Sequence, residues 1–551
     1  MKPVSMIPDD DDTAHVPTSL GVGEVSDNAT TPRFRLTPQQ TDILDWVSDS
    51  TGNAFVEAVA GAGKTTVLIA AMKRALDMGA RSIAYAAFNR AISVEVNKKW
   101  TDLYGDQYKR NIRIGTFHSF GFGAWRRVYQ NVVMDDRAKM RQMFDACDVP
   151  RKMQSAVRKL VSLAKQSAVC SLWQPDDVDQ WMGIIEHFGL LYELDQDGDL
   201  DDYEMMTNLM VKGIECVEWS RRMGPKLIDY DDMIWLPVIS RVNVWQNNWT
   251  LVDEAQDTNP VRRLLAKKMT RSDGRMLWVG DRHQAIYGFT GADAKSVDNI
   301  KKEFRCVELP LTVTHRCPKS VVDVARQWVR HITAADSAPA GVVTYVTREQ
   351  FLNREHPSGY GQLRASDAIL CRNTKPLVKL AFRLIRSGIG CHVEGRDIGE
   401  GLRKLATRWQ VNGTDELSRH LEDMRERETT KAIEKAGGDE EQAKYEIEAI
   451  NDRIDTLYAI MEGCDTVQQV VDRIDRMFAD SEGGQESSLT LATVHRSKGR
   501  EWGRVYILGH SAYMPSKYAR RDWQVEQETN LRYVAVTRSQ KELFLMDALE
   551  D

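Results

Sequence analysis

The eight cysteines of this 551-residue chain never stand as a CxxC pair: Cys147, Cys170, Cys216, Cys306, Cys317, Cys371, Cys391 and Cys464 are scattered. That spacing argues against a zinc or iron–sulfur site and for a reducing compartment. No apolar run approaches the length of a bilayer span, and no signal-type hydrophobic segment opens the sequence. A strong charge of either sign is also missing. At a net charge of −6, any nucleic acid must be held by a locally basic channel, not by the surface as a whole. By length the chain divides into about three or four domains. Residues 1–32 are polar, contain Asp9-Asp10-Asp11-Asp12 and show no period, so they are expected to form a disordered acidic tail.

The segment Ala58-Val59-Ala60-Gly61-Ala62-Gly63-Lys64-Thr65-Thr66 follows a short apolar run and precedes a helical pattern. Strand, glycine-rich turn and helix in that order make a phosphate cradle. Backbone N–H groups from Ala60 to Thr66 converge on phosphate oxygens, Lys64 reaches the β- and γ-phosphates, and Thr65 can hold Mg²⁺. Alone, a near-match with Ala58 in place of the first glycine is compatible with an ordinary turn. The apolar run Trp249–Val252, which delivers Asp253 and Glu254, decides the matter. Carboxylates at the C-terminal end of a strand are placed to hold Mg²⁺ (Asp253) and to orient or deprotonate a water (Glu254). The chain is therefore expected to hydrolyse a nucleoside triphosphate with Mg²⁺ as its cofactor.

Short apolar runs alternate with helical patterns at Ala54–Val59, Ile83–Ala87 and Ile112–Gly115, and resume at Trp249–Val252 and Met276–Val279. A second alternating region is expected to begin at Val307–Leu311 and continue through Val342–Val346, Ala368–Cys371, Leu489–Ala492, Val505–Leu508 and Leu543–Leu545. The expected domains are 33–115 with 229–310, interrupted by a helical block at 116–228, then 311–397 with 485–551, interrupted at 398–484. Within the last block, Asp415–Ala436 and Asp439–Ile460 read as an antiparallel helical hairpin joined at Gly437-Gly438. Ile447, Ile450, Ile454, Leu457 and Ile460 share one face of its second helix. The hairpin is either a structural arm or a surface for a protein or DNA partner.

Further segments carry candidate site residues. Gln40, in Leu36-Thr37-Pro38-Gln39-Gln40, can read both edges of adenine, or Thr37 and Pro38 simply start a helix. In Asp281–Ala292, Gln284 can sense the γ-phosphate. Tyr287 and Phe289 can stack on bases, unless they belong to the core.

Taken in order, these pieces resemble a superfamily 1 DNA helicase of the UvrD/Rep/PcrA type, in its F-box-helicase-like or phage-encoded branch. The likeness extends through Phe88-Asn89-Arg90, Thr116-Phe117-His118, Ile228-Asp229-Tyr230-Asp231-Asp232, Thr314-His315-Arg316, Thr493–Trp502 and Glu528–Arg538. It covers roughly residues 34–547. The resemblance implies two RecA-like parallel-sheet P-loop domains, each with a helical insertion, binding ATP between them. It also implies single-stranded and tailed duplex DNA as partners, 3′→5′ movement, and a place in the nucleoid, or the host-cell cytoplasm if phage-encoded. Arg316 and Arg538 would then reach the γ-phosphate from the second lobe, and Glu501 the ribose. DNA would meet Phe88, Asn89, Arg90, Thr116, His118, Tyr287, Phe289, Thr493, His495 and Lys498, although Thr116 and His118 also suit a cap and a core polar group. Thr290 stands where the family commonly has Arg, and the second insertion is short. Two alternatives therefore stay open: a translocase that strips proteins from single strands, and a helicase-like subunit that recruits a nuclease or replication partner.

Overall fold

The computed structural model describes residues 36–193, 202–286, 288, 295–435, 440–477, 489–517, 519 and 522–549. The expected tail, Gly437-Gly438, Tyr287, Phe289 and Thr290 lie outside them.

Thr37 and Gln40 start the first helix, α1 (Pro38–Asp49). Thr37 Oγ1 accepts from the Gln40 N–H at 3.3 Å, and Gln40 Oε1 accepts from the Thr37 N–H at 3.1 Å. The alternation β1 (Ala54–Ala58), α2 (Lys64–Asp77), β2 (Ile83–Ala87), α3 (Arg90–Tyr104) and β3 (Ile112–Thr116) follows. All five residues of β2 are buried, as a strand covered on both faces requires.

The chain then leaves the sheet through α4 (Phe117–Val128), β4 (Val133–Met134), α5 (Asp136–Ala146), α6 (Gln154–Gln166), α7 (Val178–Phe188), α8 (Asp202–Met223), β5 (Leu227–Ile228) and α9 (Asp232–Ile239). A two-stranded parallel pairing, Val133↔Leu227 and Met134↔Ile228, ties the start of this helical block to its end. The chain re-enters the sheet as β6 (Asn247–Val252), α10 (Pro260–Met269), β7 (Thr270–Gly280), α11 (Ser296–Glu303) and β8 (Val307–Leu311). The first sheet runs β3-β2-β6-β7-β1-β8, every neighbouring pair parallel.

One expectation is corrected here. Val307–Leu311 does not open the second alternating region but forms the edge of the first sheet, with Ala54 opposite Val307 and Ala58 opposite Leu311. Helix α11 is the reason: it supplies the crossover that a parallel neighbour of β1 requires.

The second lobe contains β9 (Val313–Thr314), α12 (Lys319–Ala325), β10 (Thr333–Ala334), β11 (Val342–Val346), α13 (Arg348–Leu352), β12 (Ala368–Cys371), α14 (Thr374–Arg386) and β13 (Cys391–Val393). Its helical block is α15 (Arg396–Ala406), α16 (Thr414–Lys435), α17 (Glu440–Met461) and α18 (Val467–Met477). The lobe closes with β14 (Leu489–Thr493), β15 (Trp502–Leu508), α19 (Asp522–Val536) and β16 (Ser539–Met546). The sheet order is β11-β16-β15-β12-β14-β13, again all parallel.

Helices α16 and α17 run antiparallel: Tyr458 OH donates to Ser418 O at 3.0 Å, and Arg425 pairs with Asp455 at 2.6 Å. Ile454, Leu457 and Ile460 are buried on the inner face, with Ile447 and Ile450 half-buried beside them. The protein is thus α/β with two parallel sheets, each interrupted by helices.

One buried apolar core runs through both sheets, from Val59 and Val279 to Val534 and Leu543. A single residue, Thr312, separates β8 from β9. Gln39 grips it twice: Gln39 Nε2 donates to Thr312 Oγ1 at 2.9 Å, and the Thr312 N–H donates to Gln39 Oε1 at 2.8 Å.

Candidate nucleotide site at the seam

The turn after β1 places two glycines in left-handed backbone, Gly61 at φ 71° and Gly63 at φ 82°. A Cβ at Gly61 would lie 2.5 Å from Arg316 Cβ and 2.7 Å from Thr314 Oγ1; at Gly63 it would lie 2.9 Å from Gln40 Nε2. Both positions need glycine for conformation and for space. Ala58, Ala60 and Ala62 alternate with them and are buried without such demands. The turn is pressed from the other lobe as well, since the His315 N–H donates to Gly61 O at 2.9 Å.

At the C-terminal end of β6, Asp253 Oδ1 accepts from the Glu254 N–H at 2.8 Å, and Asp253 Oδ2 from Tyr85 OH at 2.7 Å. Glu254 is held at φ 49°, a conformation that a non-glycine residue keeps only where its surroundings impose it. Its carboxylate accepts from Lys64 Nζ at 2.8 Å and from Gln256 Nε2 at 2.6 Å. Burial raises a carboxyl's pKa, but for Glu254 the cations Lys64 and Lys498 prevail and hold it down to about 2. Asp253 goes the other way, pushed up to about 6 by burial and by the charge of Glu254. The two neighbouring carboxylates are therefore set apart in acidity. Lys64 itself is largely desolvated, yet Glu254, Asp253 and Asp281 keep it firmly protonated.

After β7, Asp281 accepts from Gln284 Nε2 at 2.7 Å and from the His283 N–H at 3.0 Å. From the second lobe, Arg316 pairs closely with Glu501, and its Nη1 donates to Thr537 O at 3.4 Å. Arg538 lies one layer behind. It is fully buried, with Nε on Val534 O at 2.9 Å and Nη1 on Arg500 O at 3.1 Å, and burial beside Arg316 lowers its pKa to about 10. Lys498 crosses the seam to Asp257 Oδ2 at 2.5 Å and Gln284 O at 2.6 Å. The structure therefore brings Lys64, Asp253, Glu254, Gln284, Arg316 and Glu501 around one turn. Carboxylates predominate on the first lobe and cations on the second.

The residues expected to meet DNA are spread more widely. Asn89 caps α3, accepting from the Ile92 N–H at 2.9 Å, and Arg90 beside it is exposed. The Phe88 ring lies 5.3 Å under the Arg262 guanidinium. Thr116 caps α4, and His118 is buried, stacked on Tyr230 at 3.8 Å and held neutral by burial, its pKa lowered to about 3. Thr493 Oγ1 accepts from the Arg496 N–H at 3.4 Å, and burial lowers His495 to about 3. Lys498 points into the seam and not outward. Tyr85, Asp257, Asp281 and Tyr533 take part in the site although the sequence assigned them no role. Only the strand periodicity spoke for Tyr85, and the others lay inside motifs read for a neighbour.

A family profile described as the UvrD/REP helicase N-terminal domain matches residues 36–305, and one described as the UvrD-like helicase C-terminal domain matches 399–550. The chain belongs to the UvrD/Rep helicase family. Among its relatives, "ATP-dependent DNA helicase Rep" of Escherichia coli is 22% identical over 93% of this chain and 90% of the relative. "F-box DNA helicase protein 1" of Schizosaccharomyces pombe is 23% identical over 93% of this chain and 58% of its own length. "ATP-dependent DNA helicase PcrA" of Staphylococcus aureus is 25% identical over 56% of this chain and 42% of the relative.

Members of the UvrD/Rep family are ATP-driven, DNA-binding helicases that typically use Mg²⁺. The residues present suit that ion. Among the described residues no group of three or more His, Cys, Asp or Glu is arranged to hold a metal. Asp253, buried at the C-terminal end of β6, offers the hard carboxylate oxygen that such an ion takes. No described helix is long and apolar enough to cross a membrane.

Proposed function

We propose that this protein is an ATP-driven motor that moves 3′→5′ along single-stranded DNA and separates the duplex ahead of it, in replication, recombination or repair. The observation that carries the reading is the meeting of Arg316 with Gly61 of the phosphate-binding turn. It brings second-lobe cations to the first lobe's Lys64, Asp253 and Glu254.

In this reading Gln40 contacts the base and Glu501 the ribose. The turn from Ala60 to Thr66 holds the phosphates. Thr65 and Asp253 hold Mg²⁺, which neutralises phosphate charge when bound. Glu254, ionised and fixed at the end of β6, orients or deprotonates the attacking water. Gln284 senses the γ-phosphate, while Arg316 and Arg538 stabilise charge on the transferred group, a role worth ~10³-fold or more in turnover. Neither lobe completes the site alone, so binding draws the lobes together and hydrolysis releases them. DNA is held by Phe88, Asn89, Arg90, Thr116, Tyr287, Phe289, Thr493 and His495, while His118, stacked on Tyr230, and Lys498, turned into the seam, serve the fold instead. The α16–α17 hairpin offers a surface to a protein partner.

The test is ATP turnover and strand separation on 3′-tailed and 5′-tailed DNA, with single-stranded RNA as the comparison. Lys64→Ala and Glu254→Gln are expected to abolish turnover, and only the 3′-tailed substrate is expected to open. Undiminished DNA-stimulated hydrolysis by Glu254→Gln would remove Glu254 from its role. Preference for the 5′ tail would reverse the direction.

A further inference from the structure

We propose that Tyr533 is a positioning residue whose hydroxyl competes with a phosphate oxygen for the Ala60 N–H, and so carries nucleotide occupancy from the phosphate-binding turn into α19. The inference rests on the ATP-driven reading above and adds a residue to it.

Tyr533 lies on α19 of the second lobe, yet both partners of its hydroxyl belong to the first. The oxygen accepts from the Ala60 N–H at 2.9 Å and donates to Asp281 Oδ2 at 3.4 Å. The residue is 0% exposed. A phenylalanine would fill that volume equally well, so the hydroxyl is there for its two contacts. Burial and the neighbouring Asp281 push the phenol's pKa well up, which keeps it neutral and able to accept and donate at once. Backbone amides of a glycine-rich turn are phosphate donors, and an anionic oxygen is a stronger acceptor than a phenol. A triphosphate in the turn therefore draws on the N–H that Tyr533 uses.

Release at Ala60 would be felt along two routes. Asp281, the second partner, also holds Gln284 and the His283 N–H. Its own N–H donates to Gln256 Oε1 at 3.0 Å, and Gln256 in turn holds Glu254. On α19, Asn530 sits three residues before Tyr533 on the same face. Its Nδ2 donates to Ala285 O at 3.0 Å, which bolts the helix to the Gln284 segment. Four residues after Tyr533, Thr537 Oγ1 donates back to Tyr533 O at 2.8 Å, and Thr537 O receives Arg316. One hydroxyl thus sits where the turn, the Gln284 segment and the helix that leads to Arg538 meet.

The decisive variant is Tyr533→Phe in the full chain, compared with wild type in three measurements: equilibrium binding of a non-hydrolysable ATP analogue without DNA, thermal unfolding, and strand separation per ATP hydrolysed. Loss of one competing hydrogen bond predicts analogue binding about three- to tenfold tighter, with fewer base pairs opened per ATP. A hydroxyl that only stabilises the fold would instead lower the melting temperature and leave affinity unchanged or weaker; either affinity result overturns the proposal. If the wild type binds the analogue but DNA stimulates no hydrolysis, the helicase reading falls, and the binding comparison still judges Tyr533.

Discussion

In the first helical block, Lys139 and Lys165 bury their ammonium groups among Asp229 and Asp232, with Lys165 Nζ at 2.6 Å from Asp229 and 2.8 Å from Asp232. Lys139 pairs with the same two carboxylates and is wholly enclosed. The second block is pinned by Arg425 and Lys375 converging on Asp455 at 2.6 Å each, with all three side chains 22–28% exposed. Buried ions must be matched almost completely, because an unpaired one has no water to turn to; half-exposed ions can part and rejoin at little cost.

The first cluster also leads toward the nucleotide site. Asp231 accepts from Ser162 Oγ at 2.5 Å and from Gln166 Nε2 at 3.3 Å, and Gln166 Oε1 takes a hydrogen bond from Asn259, the cap of α10, at 3.3 Å. The first block is therefore a stiff extension of the lobe that carries Asp253. The second is fastened by ion pairs that water still reaches.

The strongest way to break this contrast is Asp232→Ala. Removing the carboxylate shared by both buried lysines should cost about 3–5 kcal/mol in denaturant unfolding; a loss below about 1 kcal/mol would mean the lysines find water.

A middle-sized effect tests the root of the same block. His118 has a folded pKa of about 3, below its unfolded value of about 6.5, so the unfolded chain binds the extra proton between those limits. Stability should fall as pH drops through that window, by up to about 1.4 kcal/mol per pH unit for this one group. In His118→Phe that share of the acid slope should vanish. An acid slope identical to wild type in pH-dependent unfolding would show that the ring is not desolvated.

The smallest expected effect is Arg425→Ala in the hairpin, about 0.2–1 kcal/mol by thermal unfolding. A cost near that of Asp232→Ala would erase the distinction between the blocks.

Much of this was legible in the chain. Five-residue apolar runs such as Ile83–Ala87, bounded by helical patterns, announce parallel strands, and Gly61, Gly63 and Lys64 announce the phosphate cradle. What escaped depends on contacts between segments far apart in sequence. Val307–Leu311 has the same composition whether it starts a new sheet or edges the old one; its pairing with β1 decides. Lys498 looks like a surface cation until Asp257 and Gln284 O are brought to it, and Tyr533 looks like a core aromatic until Ala60 is seen across the seam. Charge and hydroxyl groups declare a role only when the fold supplies their partners.

The described backbone passes between the two sheets once, at Thr312. Whatever else joins the lobes is non-covalent. The molecule is consequently a clasp and not a closed ring. Every other tie across the seam, Lys498 to Asp257 and Tyr533 to Ala60 among them, can part and re-form without breaking a bond of the chain.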